Sequence, residues 1–420
     1  MRLLVRQFDR LVGFLESTPD RGVVFRYVGE YLREPGAHAL SLSLPLREAE
    51  FSHAATMPFF AGLLPDGDLR RRVSDSLHVS ESSTLKLLDA LGGECAGTVS
   101  LLRDEEDEDI RRASPSPKVT TLGTKYKEIS ENELAALILD SERRPLLVPQ
   151  GGARLSLAGA QDKVPLFYHG DSWWLPLGNS PSSHILKPAS TAFPDLVANE
   201  FFCMRLAAAL GLAVPKVELK VIGRPVLVID RYDRAWTDSG AIERIHQEDF
   251  CQALGIMPDR KYETDGGPGF SEIAKIIRQS CFAPLRDIEA LICVALFNFL
   301  VGNCDAHGKN FSLLYSETGI RLAPFYDLVS TMVYPELSAK LSMRMGNEYR
   351  PDRIKSSELE RFARDIGVRP RLVENSLSEL GLAASVAWDK IGRLPELADH
   401  TDLVMNIRRG WEERIGQVTP

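Results

Sequence analysis

The stretch Leu300-Val-Gly-Asn-Cys-Asp-Ala-His-Gly-Lys-Asn-Phe-Ser312 decides how this chain is read. Within it Asp305 is followed five residues later by Asn310, and the apolar run Ile320-Arg-Leu-Ala-Pro-Phe-Tyr-Asp327 then ends on a second carboxylate. Phosphoryl transfer asks for these parts. One carboxylate accepts the proton of an attacking hydroxyl, and an Asn and an Asp hold a magnesium ion against phosphate charge. Singly, each residue has an ordinary explanation: Asp305 as a helix cap, Asn310 as a turn residue, Asp327 as a loop acid. An Asp–Asn match at this spacing arises often by chance, and the carboxylate a short strand later is what favours the catalytic reading. His307 is expected to brace the loop backbone by hydrogen bonding rather than to titrate, and Cys304 to pack inward.

Just upstream, the most apolar window, Ile288 to Val301, is too short to span a bilayer and contains Glu289 and Asn298, so it reads as a buried helix. Helical patterns dominate from about residue 246: Glu248 to Leu254, Phe270 to Ser280, Leu285 to Val301 and Ser357 to Asp365. Before them the pattern is sheet. Ala153 to Leu157, Lys163 to Tyr168, Trp173 to Leu175, Ser183 to Lys187, Pro215 to Val221 and Pro225 to Asp230 read as strands. One helix, Leu196 to Leu210, is opened by Pro194-Asp195 and closed by Gly211. A sheet with one crossing helix, followed by a mostly helical half, is the bilobal protein-kinase-like plan, of α+β class.

In this plan Lys187, at a strand end, is a compact cation suited to the α- and β-phosphates of a nucleotide. Its bland alternative is a plain strand-end lysine. Glu200 shares a helix stripe with Leu196, Cys203 and Ala207. A carboxylate on a buried stripe needs a partner, for which Lys187 is the natural candidate. Gly151-Gly152 and Ala158-Gly159-Ala160-Gln161 could offer backbone N–H groups to phosphate, although glycines between strands also make simple turns. Neither a Walker A motif nor G-x-G-x-x-G is present.

Residues 1–103 read as an N-terminal α+β subdomain. Arg2 to Val5 and Val23 to Tyr27 are strands around the turn Pro19-Asp-Arg-Gly22, and Ala39 to Leu46 alternates at period two and is expected as a half-buried strand. Asp68-Leu-Arg-Arg-Arg72 starts a helix, and Ser82 to Leu91 is another, stopped by Gly92-Gly93. Residues 104–124 carry an acidic run and Ser114-Pro-Ser-Pro-Lys118, the composition of a solvated linker. Residues 125–245 are read as a kinase N-lobe with an ATP-binding sheet, where Ser130-Glu-Asn-Glu-Leu134 caps a helix. Residues 246–420 are the helical C-lobe.

The formal charge of −8 argues against a broad electrostatic grip on nucleic acid. Six scattered cysteines without a C-x-x-C pair read as small buried hydrophobes in a reducing cytosol, and the histidines show no zinc spacing. The N-terminus has no apolar core of signal-peptide length. A cytoplasmic chain with no membrane contact is expected.

Several ordered motifs together resemble HipA-type serine/threonine kinases. They are Arg154-Leu-Ser-Leu-Ala-Gly-Ala-Gln-Asp-Lys163, Ile185-Leu-Lys-Pro188, Val228-Ile-Asp-Arg-Tyr-Asp-Arg234 and His246-Gln-Glu-Asp-Phe-Cys-Gln-Ala-Leu-Gly255. Lys261-Tyr-Glu263, Gly266-Gly-Pro-Gly269, Asn303-Cys-Asp-Ala-His-Gly-Lys-Asn310 and Phe325-Tyr-Asp327 continue the series. The likeness extends to the N-terminal subdomain through Ala39 to Leu46 and Phe59 to Gly67. Such kinases are toxins of bacterial toxin–antitoxin pairs linked to growth arrest and drug tolerance.

The resemblance implies ATP and Mg2+ as cofactors, Asp305 as catalytic base, Asn310 and Asp327 as metal ligands and Lys187 as the phosphate-binding lysine. Val228 to Tyr232, with Asp230 and the Tyr232 ring, would receive adenine. Ser156 would be an autophosphorylated serine that switches the kinase off. The implied partner is a HipB-like helix-turn-helix antitoxin dimer, through which the chain would reach operator DNA as a corepressor. The implied substrate is a protein, in some members an aminoacyl-tRNA synthetase, whose phosphorylation blocks translation. Cys304 stands where threonine is common, and Asp162 and Asp230 where glutamates occur. Two rival readings are a small-molecule kinase of the aminoglycoside or lipid type and a catalytically idle transcriptional corepressor.

Overall fold

The computed structural model describes residues 1–8, 10–103, 126–148, 153–238 and 240–419. The acidic linker and Gly151-Gly152 therefore lie outside the described residues. The chain divides into two compact units. One comprises Met1–Pro188, Ile222–Arg224 and Asp230–Asp259; the other comprises Ala189–Val221, Pro225–Ile229 and Arg260–Pro420.

The first unit opens with a four-stranded antiparallel sheet in the order Gly22–Tyr27, Arg10–Thr18, Arg2–Gln7, Val99–Leu102. The strand Arg10–Thr18 was not foreseen from the sequence. It crosses tightly at Gly13, where a Cβ would stand 2.5 Å from both the Phe25 ring and the Arg26 carbonyl oxygen. The helix His53–Gly62 buries Phe59 and Phe60, and Phe60 meets Phe25 with ring centroids 5.5 Å apart. The two expected helices form as Gly67–Leu77 and Thr84–Leu91.

Ala39 to Leu46 is not a strand, which corrects the period-two reading. Its backbone groups find other partners: Leu40 N–H donates to the Tyr27 hydroxyl at 2.8 Å and Leu42 N–H to Glu248 at 3.0 Å. The Ser41 hydroxyl donates to Glu248 at 2.5 Å and the Ser43 hydroxyl to the Gln252 carbonyl at 2.7 Å. Leu40 and Leu44 pack inward, Leu46 is exposed, and Ser41 and Ser43 bind at the helix Phe250–Leu254.

A second antiparallel set in this unit runs Tyr126–Ile129, Ser172–Pro176, Val164–His169, His184–Pro188. The helix Glu131–Asp140 starts at the expected capping box of Ser130 and Glu133. Ala153 to Leu157, also expected as a strand, makes only an isolated bridge. Glu94 N–H donates to the Arg154 carbonyl at 2.8 Å and Ser156 N–H to the Glu94 carbonyl at 2.9 Å, so this segment is tied to a loop of the N-terminal subdomain.

Glu94 is also the centre of a buried charge cluster. Its carboxylate accepts from Arg231 at 3.1 Å, Arg234 at 2.7 Å, Arg244 at 2.5 Å and Ser182 N–H at 2.9 Å. Asp233 pairs with Arg231 at 2.7 Å and accepts from Gly97 N–H at 2.7 Å. The three guanidiniums hold the Glu94 carboxyl at about 2 despite complete burial.

The second unit is mostly helical: Leu196–Ala209, Phe270–Ser280, Pro284–Val301, Ser356–Asp365, Pro370–Gly392 and Thr401–Val418. Pro284–Val301 is the buried helix expected from its composition, begun by proline at its first position and ended by Gly302 at φ +76°. Phe297 packs on Trp411, Trp411 on Trp388 and Trp388 on Phe202, with centroids 6.0, 5.7 and 5.4 Å apart. Among the described residues no helix is long and apolar enough to cross a membrane. Among the described residues the six cysteines form no disulfide; five are buried, and Cys293 is half-buried.

Candidate active site

The loop carrying Asp305 leaves the C-terminal end of Pro284–Val301, where the last carbonyls of a helix need partners. The Leu300 carbonyl receives two bonds from the Arg414 guanidinium, at 2.9 and 2.8 Å, and the Gly302 carbonyl accepts from Thr331 N–H at 3.0 Å and Met332 N–H at 3.1 Å. Among the described residues the buried Arg414 has no carboxylate partner. Burial pulls it down to about 10, so it stays charged at neutral pH and suits the negative end of the helix dipole.

Asn303 then organises the turn. Its amide donates to Asn298 Oδ1 at 3.0 Å and to the Asp327 carbonyl at 3.4 Å, while its Oδ1 accepts from Asp305 N–H at 3.1 Å. Cys304, packed inward as expected, is pinned at both backbone groups: its N–H donates to Thr331 and its carbonyl accepts from Ser342, at 2.8 and 2.7 Å. Burial pushes its thiol up to about 11, which keeps it protonated.

Asp305 is thus an exposed side chain on a braced backbone. Its Oδ1 accepts from the Tyr262 hydroxyl at 2.8 Å. Asn310 closes a short turn, Gly308–Asn310, by accepting from His307 N–H at 3.2 Å, and its Nδ2 donates to Asp327 Oδ2 at 3.3 Å. Asp327 sits at φ +54°, a left-handed conformation that costs a non-glycine residue energy and recurs at functional sites. Tyr326 anchors it from the preceding position, its hydroxyl donating to the Lys309 carbonyl at 2.7 Å. On the other side Asn199 brackets Ser330 with two 2.9 Å bonds.

The His307 ring is buried, and burial, aided by Lys261 and Lys309, holds it well below its ordinary range. That agrees with a non-titrating role. Its bracing differs from the expectation: the backbone N–H makes the bond to Asn310, while ring Nδ1 has no partner among the described residues.

The residues expected to handle the nucleotide are placed as follows. Lys187 is buried at the end of its strand, in the first unit. Glu200 is buried on Leu196–Ala209, in the second. Asp230 lies 3.2 Å from His184 Nε2, and the half-buried Tyr232 donates its hydroxyl to Gln247. Gly159, at φ +108°, has its carbonyl bound by Asp66 N–H at 3.1 Å, and any Cβ there would meet the Lys163 ammonium at 2.5 Å. Ala160 is exposed, and Gln161 is half-buried, its Nε2 without a partner among the described residues. Ser156 is fully buried and donates to the Leu63 carbonyl at 2.7 Å.

Among the described residues no group of three or more His, Cys, Asp or Glu is placed to hold a metal ion. The donors that fit are the Asp327 carboxylate and the Asn310 amide oxygen. These are hard oxygen ligands of the kind that bind magnesium when substrate phosphates complete the shell. The two side chains adjoin through Asn310 Nδ2, 3.3 Å from Asp327 Oδ2, while the Asn310 oxygen accepts from His307 N–H, so a metal would draw on the Asp327 carboxylate beside that oxygen.

Sequence reasoning missed Tyr262, Asn303 and Arg414 as parts of this site. Tyr262 and Asn303 lay inside quoted motifs, but their bonds join segments far apart in the chain. Arg414 gave no signal, since one arginine in a mixed helix reads as surface.

The chain matches the HipA N-terminal domain model over residues 3–102 and the HipA-like C-terminal domain model over residues 155–388. It is 40% identical to the putative kinase Y4mE of Sinorhizobium fredii, covering 95% of this chain and 93% of that protein. It is 32% identical to the serine/threonine-protein kinase toxin HipA of Shewanella oneidensis, covering 89% and 85%. The solved structure of the Shewanella oneidensis MR-1 toxin–antitoxin system HipA, HipB and operator DNA complex superposes with a TM-score of 0.83 at 27% identity, covering 99% of this chain and 97% of that one. With both domain models matched and these relatives spanning nearly its whole length, the chain belongs to the HipA family of kinases.

Proposed function

We propose that this protein transfers the γ-phosphoryl group of ATP to a serine or threonine of a cytosolic protein and acts as a growth-arresting toxin. The substrate hydroxyl oxygen attacks the γ-phosphorus, the bond from that phosphorus to the β,γ-bridging oxygen breaks, and ADP leaves. The hydroxyl proton goes to Asp305. Asn310 and Asp327 would hold Mg2+, which supplies charge neutralisation at the phosphates. Lys187 would bind the α- and β-phosphates, and Asp230 and Tyr232 would border the adenine. The observation that carries the reading is the meeting of Asn310 with Asp327 beside a loop that presents Asp305.

The relatives support the finer parts. The Shewanella oneidensis protein is named a toxin, and its structure holds HipB and operator DNA. A HipB-like helix-turn-helix dimer is accordingly the partner we assign, with DNA reached mainly through it. An aminoacyl-tRNA synthetase is one candidate substrate.

Autophosphorylation of Ser156 would be the off switch. Its hydroxyl is buried against Leu63, so the segment must leave its seat to be modified. A group carrying about −1.5 to −2 charges could not return to a seat that offers a carbonyl oxygen.

The test is incubation with labelled ATP, Mg2+ and a bacterial lysate, followed by phosphosite mapping. Label on protein serine or threonine, strongly reduced with Asp305→Asn, is the expected result. Label confined to small molecules would favour a small-molecule kinase instead.

A further inference from the structure

The bond between Tyr262 and Asp305 has no counterpart in the roles assigned so far. Asp305 is exposed, and an exposed aspartate ordinarily samples several side-chain rotamers. Here its Oδ1 accepts a 2.8 Å bond from the Tyr262 hydroxyl. A charge-assisted bond of this length is the strong kind, with a directional hold on the carboxylate.

Tyr262 is itself held from several sides. Its ring stands edge-to-face against the buried His307 ring, centroids 5.2 Å apart at 81°, and the Lys261 ammonium lies 5.3 Å from the ring centre. The Tyr262 carbonyl closes the following turn by accepting from Asp265 N–H at 3.0 Å and Gly267 N–H at 2.8 Å. That turn has no room to relax, since a Cβ at Gly267 would stand 2.4 Å from the Arg260 carbonyl oxygen. Finally, Gly308 N–H donates to the Lys261 carbonyl at 3.2 Å, fastening the Tyr262 segment to the Asp305 loop.

We infer that Tyr262 is a positioning residue for the base: its hydroxyl fixes the Asp305 carboxylate in one orientation, so that the proton-accepting oxygen meets the substrate hydroxyl in the same geometry at each turnover. The inference rests on Asp305 being the base. Proton transfer is steep in distance and angle, and catalysis draws much of its advantage from presenting the acceptor ready-aligned. Tyr262 takes no proton, and the atoms exchanged are those of the proposed reaction.

The test compares four proteins, the wild type, Tyr262→Phe, Asp305→Asn and the double variant. The reading is the initial rate of labelled phosphate transfer from ATP to a cleared bacterial lysate at fixed total protein. Tyr262→Phe keeps the ring on His307 and removes only the hydroxyl. Its maximal rate should fall on the order of tenfold, with the KM for ATP changed by no more than about twofold. In the Asp305→Asn background the same change should cost nothing further, because the carboxylate it positions is gone. A wild-type rate for Tyr262→Phe overturns the inference. So do losses that multiply in the double variant, which would place Tyr262 on the peptide or on loop folding. A wild-type rate for Asp305→Asn is a separate outcome, one that removes the base assignment and the inference with it.

Discussion

Asn310 Nδ2 and Asp327 Oδ2 lie 3.3 Å apart although the two residues are 17 positions apart in sequence. Each is put there by its own backbone: Asn310 by the turn Gly308–Asn310, Asp327 by a left-handed conformation at φ +54°. A purely structural loop has little reason to hold an aspartate in that conformation and aim it at an amide. The proposed dication site would give one, since a cation drawing on the Asp327 carboxylate would repay local strain.

Asp327→Ala should therefore weaken Mg2+-dependent ATP binding while leaving the fold intact. Calorimetry with and without Mg2+ measures it. Equal ATP affinity for the variant and the wild type in Mg2+ would remove Asp327 from the metal site.

Arg414→Ala should destabilise the second unit by roughly 1–3 kcal/mol, the cost of leaving a buried carbonyl unpaired. The Arg414 bonds to the Leu300 carbonyl, at 2.9 and 2.8 Å, fasten the helix end from which the Asp305 loop departs. Urea denaturation gives the stability change, and an unchanged midpoint would contradict this role.

The charge cluster makes an acid prediction. The Glu94 carboxyl is lowered from 4.5 to about 2, so the folded state binds fewer protons than the unfolded state between those values. Its stabilisation is complete above about pH 4.5 and is lost as pH falls through 2. Glu94→Gln should cost roughly 3–5 kcal/mol at neutral pH, because it leaves buried guanidiniums short of a counter-charge, and it should flatten the acid limb. Denaturant midpoints across pH 2–6 for both proteins check the sign.

Ser156 should carry phosphate after incubation with Mg-ATP in the wild type and none in Asp305→Asn, as read by mass spectrometry. Ser156→Asp should bind ATP weakly, since a charge cannot occupy the buried seat against Leu63. Phosphorylated protein that binds ATP as tightly as unmodified protein would refute the switch.

Local signals in the sequence carried the helices well: the capping box at Ser130 and the proline start and glycine stop around Pro284–Val301 form as read, whereas Leu196–Ala209 is buried nearly all round and not along one stripe, with Leu196 only half-buried. Period two misled at Ala39 to Leu46, because the backbone N–H groups of Leu40 and Leu42 bind side chains of Tyr27 and Glu248 and not a neighbouring strand. The contact between Asn310 and Asp327 could be anticipated from spacing. The braces could not, since Asn303 to Asp327, Tyr262 to Asp305 and Arg414 to Leu300 each join segments distant in the chain. Glu94 was silent for the same reason: its arginine partners lie 137 to 150 residues away.

The central claim is that Asp305 acts in transfer and not in nucleotide binding. The most direct measurement sets Mg-ATP affinity, by calorimetry, beside the rate of labelled phosphate transfer for the wild type and Asp305→Asn. The account predicts binding unchanged and transfer lowered by roughly 10²–10⁴, the usual contribution of a positioned base. Equal transfer by the two proteins, or a loss of transfer fully explained by lost ATP affinity, would contradict it.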